Sequence, residues 1–126
     1  MKKRFVRIVL CLSMSLILVF GLNIVCFAGN ASNSGWVGNY SFSAAANISS
    51  TYLSSSLGSN TADVRIQGNV YSYNGYSAQS RYVYSRSLDY YVSLQTGLST
   101  NEDRFSKAVL QYYVNNTYAT QLTAVV

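Results

Sequence analysis

The chain has 126 residues, with nine Lys/Arg against four Asp/Glu, two cysteines, no histidine and no proline. Its basic excess sits at the start, where Lys2, Lys3, Arg4 and Arg7 flank the beginning of an apolar run from Ile8 to Phe20, and both cysteines, Cys11 and Cys26, lie before Ala28. Beyond that point Arg65, Arg81, Arg86, Arg104 and Lys107 face Asp63, Asp89, Glu102 and Asp103. This near-balance removes charge as a ground for nucleic-acid binding. Disulfide scaffolding, thiol nucleophiles and histidine-based catalysis or metal ligation are excluded for the same stretch.

Residues 1–28 carry a basic leader, an apolar middle and small residues before a cut, the pattern of a secretory signal peptide in helical form. The best cut follows Ala28, with Cys26 as the small residue two positions earlier, so the expected location is secreted or cell surface. An uncleaved anchor is the rival, since the apolar stretch approaches the roughly 20 residues that span a bilayer. Gly21 and Asn23 weigh against it. The remainder suits a single domain.

Residues 29–38, GNASNSGWVG, are Gly/Asn/Ser-rich and read as a flexible lead-in. Within it Trp36 either docks on the edge of the core or binds a ligand; docking is favoured, because indole is costly to leave in water. Tyr40-Ser41-Phe42-Ser43 alternates and starts a strand, Ala44 to Leu53 gives a weaker one, and Ser54 to Asn60 reads as a loop.

The hairpin from Ala62 to Arg86 is the clearest element. Val64, Ile66 and Val70 alternate with Asp63, Arg65, Gln67 and Asn69, the signature of a half-buried strand. Asn74-Gly75 supplies the reversal. Two registers compete. A two-residue Asn74-Gly75 loop pairs Tyr73 with Tyr76 and places Tyr71, Tyr73, Tyr76, Tyr82 and Tyr84 on the face away from Val64 and Ile66. A three-residue loop with Gly75 in a bulge pairs even positions with even, setting Ile66 against Tyr82 and Val64 against Tyr84. The second is favoured because it buries the bulky rings of both arms, and register follows burial.

Leu88, Tyr90, Val92 and Leu94 continue the even phase, with a bend at Ser85-Arg86-Ser87 carrying the chain from one sheet to another and relieving an inward Arg86. Gly97 to Asp103 is a loop. Residues 104–114 are read as a strand; a helix is the alternative, since Ser99 and Glu102 resemble a capping box and Phe105, Ala108, Val109 and Tyr112 have helical spacing. Asn115-Asn116-Thr117 turns into a last strand, Tyr118 to Val126. The fold class is therefore all-β, a small antiparallel β-sandwich over 39–126 preceded by a signal-peptide helix.

No catalytic, metal or cofactor site emerges, and no cofactor is expected. Glu102 and Asp103 read as solvated loop charges, too few for the six to eight oxygens calcium takes. Asp63 and Asp89 are expected to offset an arginine such as Arg86 or Arg65 across strands. The candidates for ligand binding are Trp36, Tyr71, Tyr73, Tyr76, Tyr82 and Tyr84, whose rings stack on sugar or aromatic partners wherever they are exposed.

Trp36-Val37-Gly38 near the start and Tyr112-Tyr113 near the end, around a Tyr-rich hairpin behind a signal peptide, resemble small exported β-sandwich proteins of Gram-positive bacteria, lactococcin-like bacteriocins among them. That resemblance implies a β-sandwich acting outside the cell. The leading expectation is a secreted, non-catalytic interaction or structural protein. A bacteriocin-like or membrane-active toxin and a carbohydrate-binding module are the alternatives. Expected partners are a cell-wall polymer, a membrane surface or another protein, with no nucleic acid; the oligomeric state stays open.

Overall fold

A computed structural model describes the main chain of Ile24–Cys26 and residues 29–126. The expected signal-peptide helix and its cut after Ala28 lie outside the described residues, except for Ile24–Cys26. Those three residues form a short strand, β1, which pairs in parallel with the last strand through Ile24↔Leu122 and Cys26↔Ala124.

The other strands are β2 (Asn30–Val37), β3 (Tyr40–Ile48), β4 (Tyr52–Ser59), β5 (Val64–Asn74), β6 (Ser77–Ser87), β7 (Tyr91–Gly97), β8 (Arg104–Val114) and β9 (Thr117–Val125). They make a five-stranded sheet, β1-β9-β8-β5-β6, and a four-stranded sheet, β2-β3-β4-β7. From β2 to β9 every pairing is antiparallel. The two sheets pack face to face, so the all-β sandwich expected from strand spacing is what the chain adopts, with no helix among the described residues.

The core lies between the sheets. Val64, Ile66, Val70, Leu110, Tyr112, Val114 and Leu122 come from one side, and Phe42, Ile48, Leu53, Leu57, Val92 and Leu94 from the other, all buried. Period-two alternation produces this: β3 sends Phe42, Ala44, Ala46 and Ile48 inward and leaves Ser43, Ala45 and Asn47 exposed. At the centre a polar contact crosses the sandwich. The buried Tyr112 hydroxyl lies 2.6 Å from Ser55 Oγ, which donates onward to the Ala45 carbonyl at 2.8 Å. Burial holds the Tyr112 phenol well above its ordinary range, against the opposing effect of the Ser55 hydrogen bond.

Several elements differ from the sequence reading, each for a physical reason. Residues 30–37 are not a flexible lead-in but edge strand β2, paired along its length with β3 from Asn30↔Asn47 to Val37↔Tyr40. A tight turn with Gly38 at positive φ closes that hairpin. Residues 54–59 are strand rather than loop. Leu53, Ser55 and Leu57 alternate inward, and Ser55 is tolerated there because its hydroxyl is bonded on both sides.

The helical spacing in 104–114 comes from a β-bulge. The β5–β8 register shifts between Tyr71 and Ser72, skipping Ser106, so Phe105 and Ala108 both face the core. Val114↔Thr117 closes the β8–β9 hairpin, with Asn115 and Asn116 both at positive φ. This is the conformation a type I′ reversal requires and Asn tolerates. Gly68 on β5 is a close-approach glycine: an added Cβ would sit 2.1 Å from the Val109 carbonyl oxygen of β8.

The expected passage between sheets is present but falls at 88–90; Ser85-Arg86-Ser87, where the bend was expected, is still strand β6. Ser87 ends β6 in one sheet, and β7 begins at Tyr91 in the other. Arg86 does not point inward, however, and Leu88 and Tyr90 are exposed; the buried even phase begins at Val92.

Candidate functional site: the outer face of the five-stranded sheet

The β5–β6 register decides where the tyrosines go. Asn74 pairs with Ser77, Tyr73 with Ala78 and Ile66 with Ser85. The turn residues are Gly75, at φ 59°, and Tyr76, as in a type II′ reversal with glycine in first place. This is neither of the two loops expected. Its parity is that of the two-residue alternative, which overturns the favoured register.

Tyr82 and Tyr84 therefore lie on the face away from Val64 and Ile66, 60% and 51% exposed. The reason is that β6 is the edge of its sheet. Register there is governed by the tight turn, because little apolar surface covers the inner side of β6. That side carries Arg81, Val83 and Ser85, of which only Val83 is buried.

Across the sheet, the outward residues fall in rows. Arg86, Arg65, Tyr113 and Tyr118 stand side by side on β6, β5, β8 and β9. Further along come Tyr84, Gln67, Gln111 and Gln121, then Tyr82, Asn69, Val109 and Thr123. Near the hairpin tip lie Ser80, Tyr71 and Lys107, followed by Ala78, Tyr73 and Arg104. One face thus collects tyrosines and four of the five cations beyond residue 28.

The cations lie on the rings. Arg65 sits 4.2 Å above the Tyr113 ring centroid, Arg104 4.6 Å above Tyr73, and Lys107 4.8 Å above Tyr71. Ring quadrupole attraction holds each head group over its ring. Tyr113 packs edge-on against Tyr118 at 5.8 Å, and Tyr82 and Tyr84 run nearly parallel at 6.3 Å.

Arg86 alone among these four has a carboxylate partner among the described residues. Its Nε and Nη2 both donate to Asp63 at 3.1 Å, as cross-strand charge offset leads one to expect. That hydrogen bond, with the charge of Asp63, raises the Arg86 guanidinium above its ordinary value.

The six sequence candidates separate as follows. Tyr71, Tyr73, Tyr82 and Tyr84 share this face. Tyr76 is fully exposed in the turn at its end. Trp36 belongs to the opposite sheet, on β2, and is 68% exposed, so the expectation that it docks on the core edge is corrected. Arg65, Arg104, Lys107, Tyr113 and Tyr118 were not singled out. The odd-numbered outward phase of 107–113 carried the signal, but the bulge at Ser106 hid its connection to Arg104.

The loop acids also need correction. Glu102 is 8% exposed rather than solvated. It accepts from Arg81 Nε at 3.0 Å, the Ser99 amide at 2.7 Å and the Ser72 hydroxyl at 2.7 Å. Burial alone would push its carboxyl up; the donors from Ser99, Ser72 and Arg81 outweigh that and hold it down at about 2. Arg81 Nη2 continues to Thr96 Oγ1 and the Gly97 carbonyl, tying β6 to β7. The Glu102–Ser99 contact is one half of a capping box that no helix follows. Asp103 Oδ2 accepts from the Gly75 amide and fixes the hairpin tip.

The outer face of the four-stranded sheet is different in kind. Ser32, Ala45, Ser56 and Ser93 form one row and Asn30, Asn47, Ser54 and Gln95 the next, flooring a trough of about 420 Å³ flanked by Tyr91. No group of three His, Cys, Asp or Glu side chains is placed to hold a metal ion among the described residues. No family model, curated protein or solved structure matches the chain.

Proposed function

We propose that the protein is a small exported, non-catalytic carbohydrate-binding module whose ligand surface is the outer face of the five-stranded sheet. The observation that carries this reading is the exposed Tyr82–Tyr84 pair, set beside Gln67, Asn69, Gln111 and Gln121 on a continuous sheet surface. Tyrosine rings offer an apolar face to the C–H side of a sugar, while phenol and amide groups bond its hydroxyls. The sheet backbone pre-organises them, so little ordering entropy is lost on binding.

The secretory-leader pattern and the resemblance to bacterial β-sandwich proteins support a reading in which this module works at the cell exterior on a cell-wall polymer. A membrane-active toxin requires a continuous apolar strand face of about nine to eleven residues. Among the described residues neither outer face supplies one: β5 presents Arg65, Gln67, Asn69 and Tyr71 outward, and β4 presents Ser54 and Ser56. The test is retention of the purified protein on insoluble cell-wall polysaccharide. The double variant Tyr82→Ala/Tyr84→Ala is expected to pass through unretained with an unchanged melting temperature. Equal retention of variant and parent would remove the tyrosine face from the reading.

A further inference from the structure

The same face carries charge that a neutral sugar would not need. Arg65, Arg104 and Lys107 have no carboxylate within ion-pair distance among the described residues. Arg65 stands directly opposite Arg86 across β5 and β6, a pairing of like charges that costs stability. Asp63 neutralises only Arg86, and Arg65 has just the Tyr113 ring and the Asn116 side-chain oxygen at 3.3 Å.

These charges fall into two groups. Arg65 and Arg86 occupy one end of the face, and Lys107 and Arg104 the other, beside Tyr71 and Tyr73. From Arg65 to Tyr71 along β5 is a span of about 20 Å at roughly 3.3 Å per residue. Between the ends lies an uncharged belt of Gln67, Asn69, Gln111, Gln121 and Thr123, bordered by Tyr82 and Tyr84. A single small anion cannot engage both ends. An extended chain with repeated negative groups can.

On this basis, and resting on the carbohydrate-binding reading above, we infer that the ligand is a linear anionic polysaccharide lying along the strands. Its acidic groups meet Arg65, beside the Asp63-paired Arg86, at one end and Lys107/Arg104 at the other, and its neutral hydroxyls meet the amide belt. The amide belt favours a hydroxyl-rich chain over a bilayer, because across β6, β5, β8 and β9 Val109 is the one aliphatic side chain in the central rows and those strands present no apolar wedge there. Single-stranded nucleic acid needs successive free ring faces. Here Tyr71, Tyr73 and Tyr113 are capped by their own cations, leaving a free pair on one edge strand only.

The test is binding of the full chain, by calorimetry or interferometry, to alginate and to dextran as the acidic and neutral probes. An alginate disaccharide, anionic phosphatidylglycerol vesicles and oligo(dT) complete the set. Alginate is expected to bind at least about tenfold more tightly than dextran, and its affinity to fall roughly tenfold between about 0.05 and 0.5 M salt. Arg65→Gln/Lys107→Gln should remove most of that salt dependence while melting as the parent does. Tyr82→Ala/Tyr84→Ala should weaken binding and keep the salt slope. The disaccharide, too short for both ends, should bind at least about tenfold more weakly than the polymer.

Dextran binding as tightly as alginate would overturn the anionic assignment and leave the carbohydrate reading standing. Binding to neither glycan would overturn both. Tighter binding to vesicles or oligo(dT) than to alginate would replace the polysaccharide, and a disaccharide as tight as the polymer would overturn the two-ended grip.

Discussion

Arg81 and Arg86 lie on the same strand, β6, each with one carboxylate partner, yet they serve opposite sides of the molecule. Arg81 faces inward and meets Glu102, whose side chain is 3% exposed; Arg86 faces outward and meets Asp63 in solvent. Their N–O distances, 3.0 and 3.1 Å, hardly differ. What differs is the medium. Glu102 has exchanged water for three protein donors, so losing one of them strands a buried charge, whereas Asp63 and Arg86 can each fall back on solvent. The inner side of this edge strand helps hold the fold together, and the outer side is left in solvent.

The sharpest way to break that contrast is Glu102→Ala, which leaves Arg81 beneath the 97–103 loop without its carboxylate. Stability in urea is expected to fall by roughly 3 kcal/mol, the lower end for breaking a buried pair. Loss no larger than that of an exposed residue would show that the loop is solvated after all.

Acid titration probes the same group. The Glu102 carboxyl is held at about 2 against an ordinary 4.5, so its contribution to stability is complete above pH 4.5 and is lost as the pH falls toward 2. Glu102→Gln should flatten that acid limb in a plot of melting temperature against pH, and a limb as steep as the parent's would assign it elsewhere.

Tyr112→Phe removes the hydroxyl that joins the two sheets. Ser55 Oγ keeps its bond to Ala45, so the expected cost is only about 1 kcal/mol, read from the denaturant midpoint. On the outer side, Tyr82→Ala and Tyr84→Ala should each move stability by no more than about 0.5 kcal/mol. Arg86→Gln should leave the thermal midpoint where it is. A clear drop for any of these three would mean that the outer face contributes to the fold.

Much of this architecture was legible in the residues. The alternation of Val64, Ile66 and Val70 marked β5 as a strand with one buried side, and Asn115-Asn116 marked the last reversal. Both followed because a side chain's burial and a backbone's positive φ are local demands that particular residue types meet. The proposed binding face was only half legible. Its tyrosines were chosen, but its cations were not, because Lys107 and Arg65 become neighbours of Tyr71 and Tyr113 only through strand pairing, and Arg104 reaches Tyr73 only through a bulge one residue wide. Strand β2 was missed because its apolar content is slight; its stability comes from the ladder to β3 rather than from its own side chains.

By itself, then, the sequence determined that the chain makes a two-sheet all-β body and which side of β5 is buried, since hydrophobic periodicity admits no other packing. Only the tertiary structure decided which way β6 faces and whether Glu102 meets water. Apart from Val83 and Ala78, both sides of β6 are polar or aromatic, so burial alone could not choose between them. The choice fell to a glycine turn and to an arginine that reaches a loop distant in the chain.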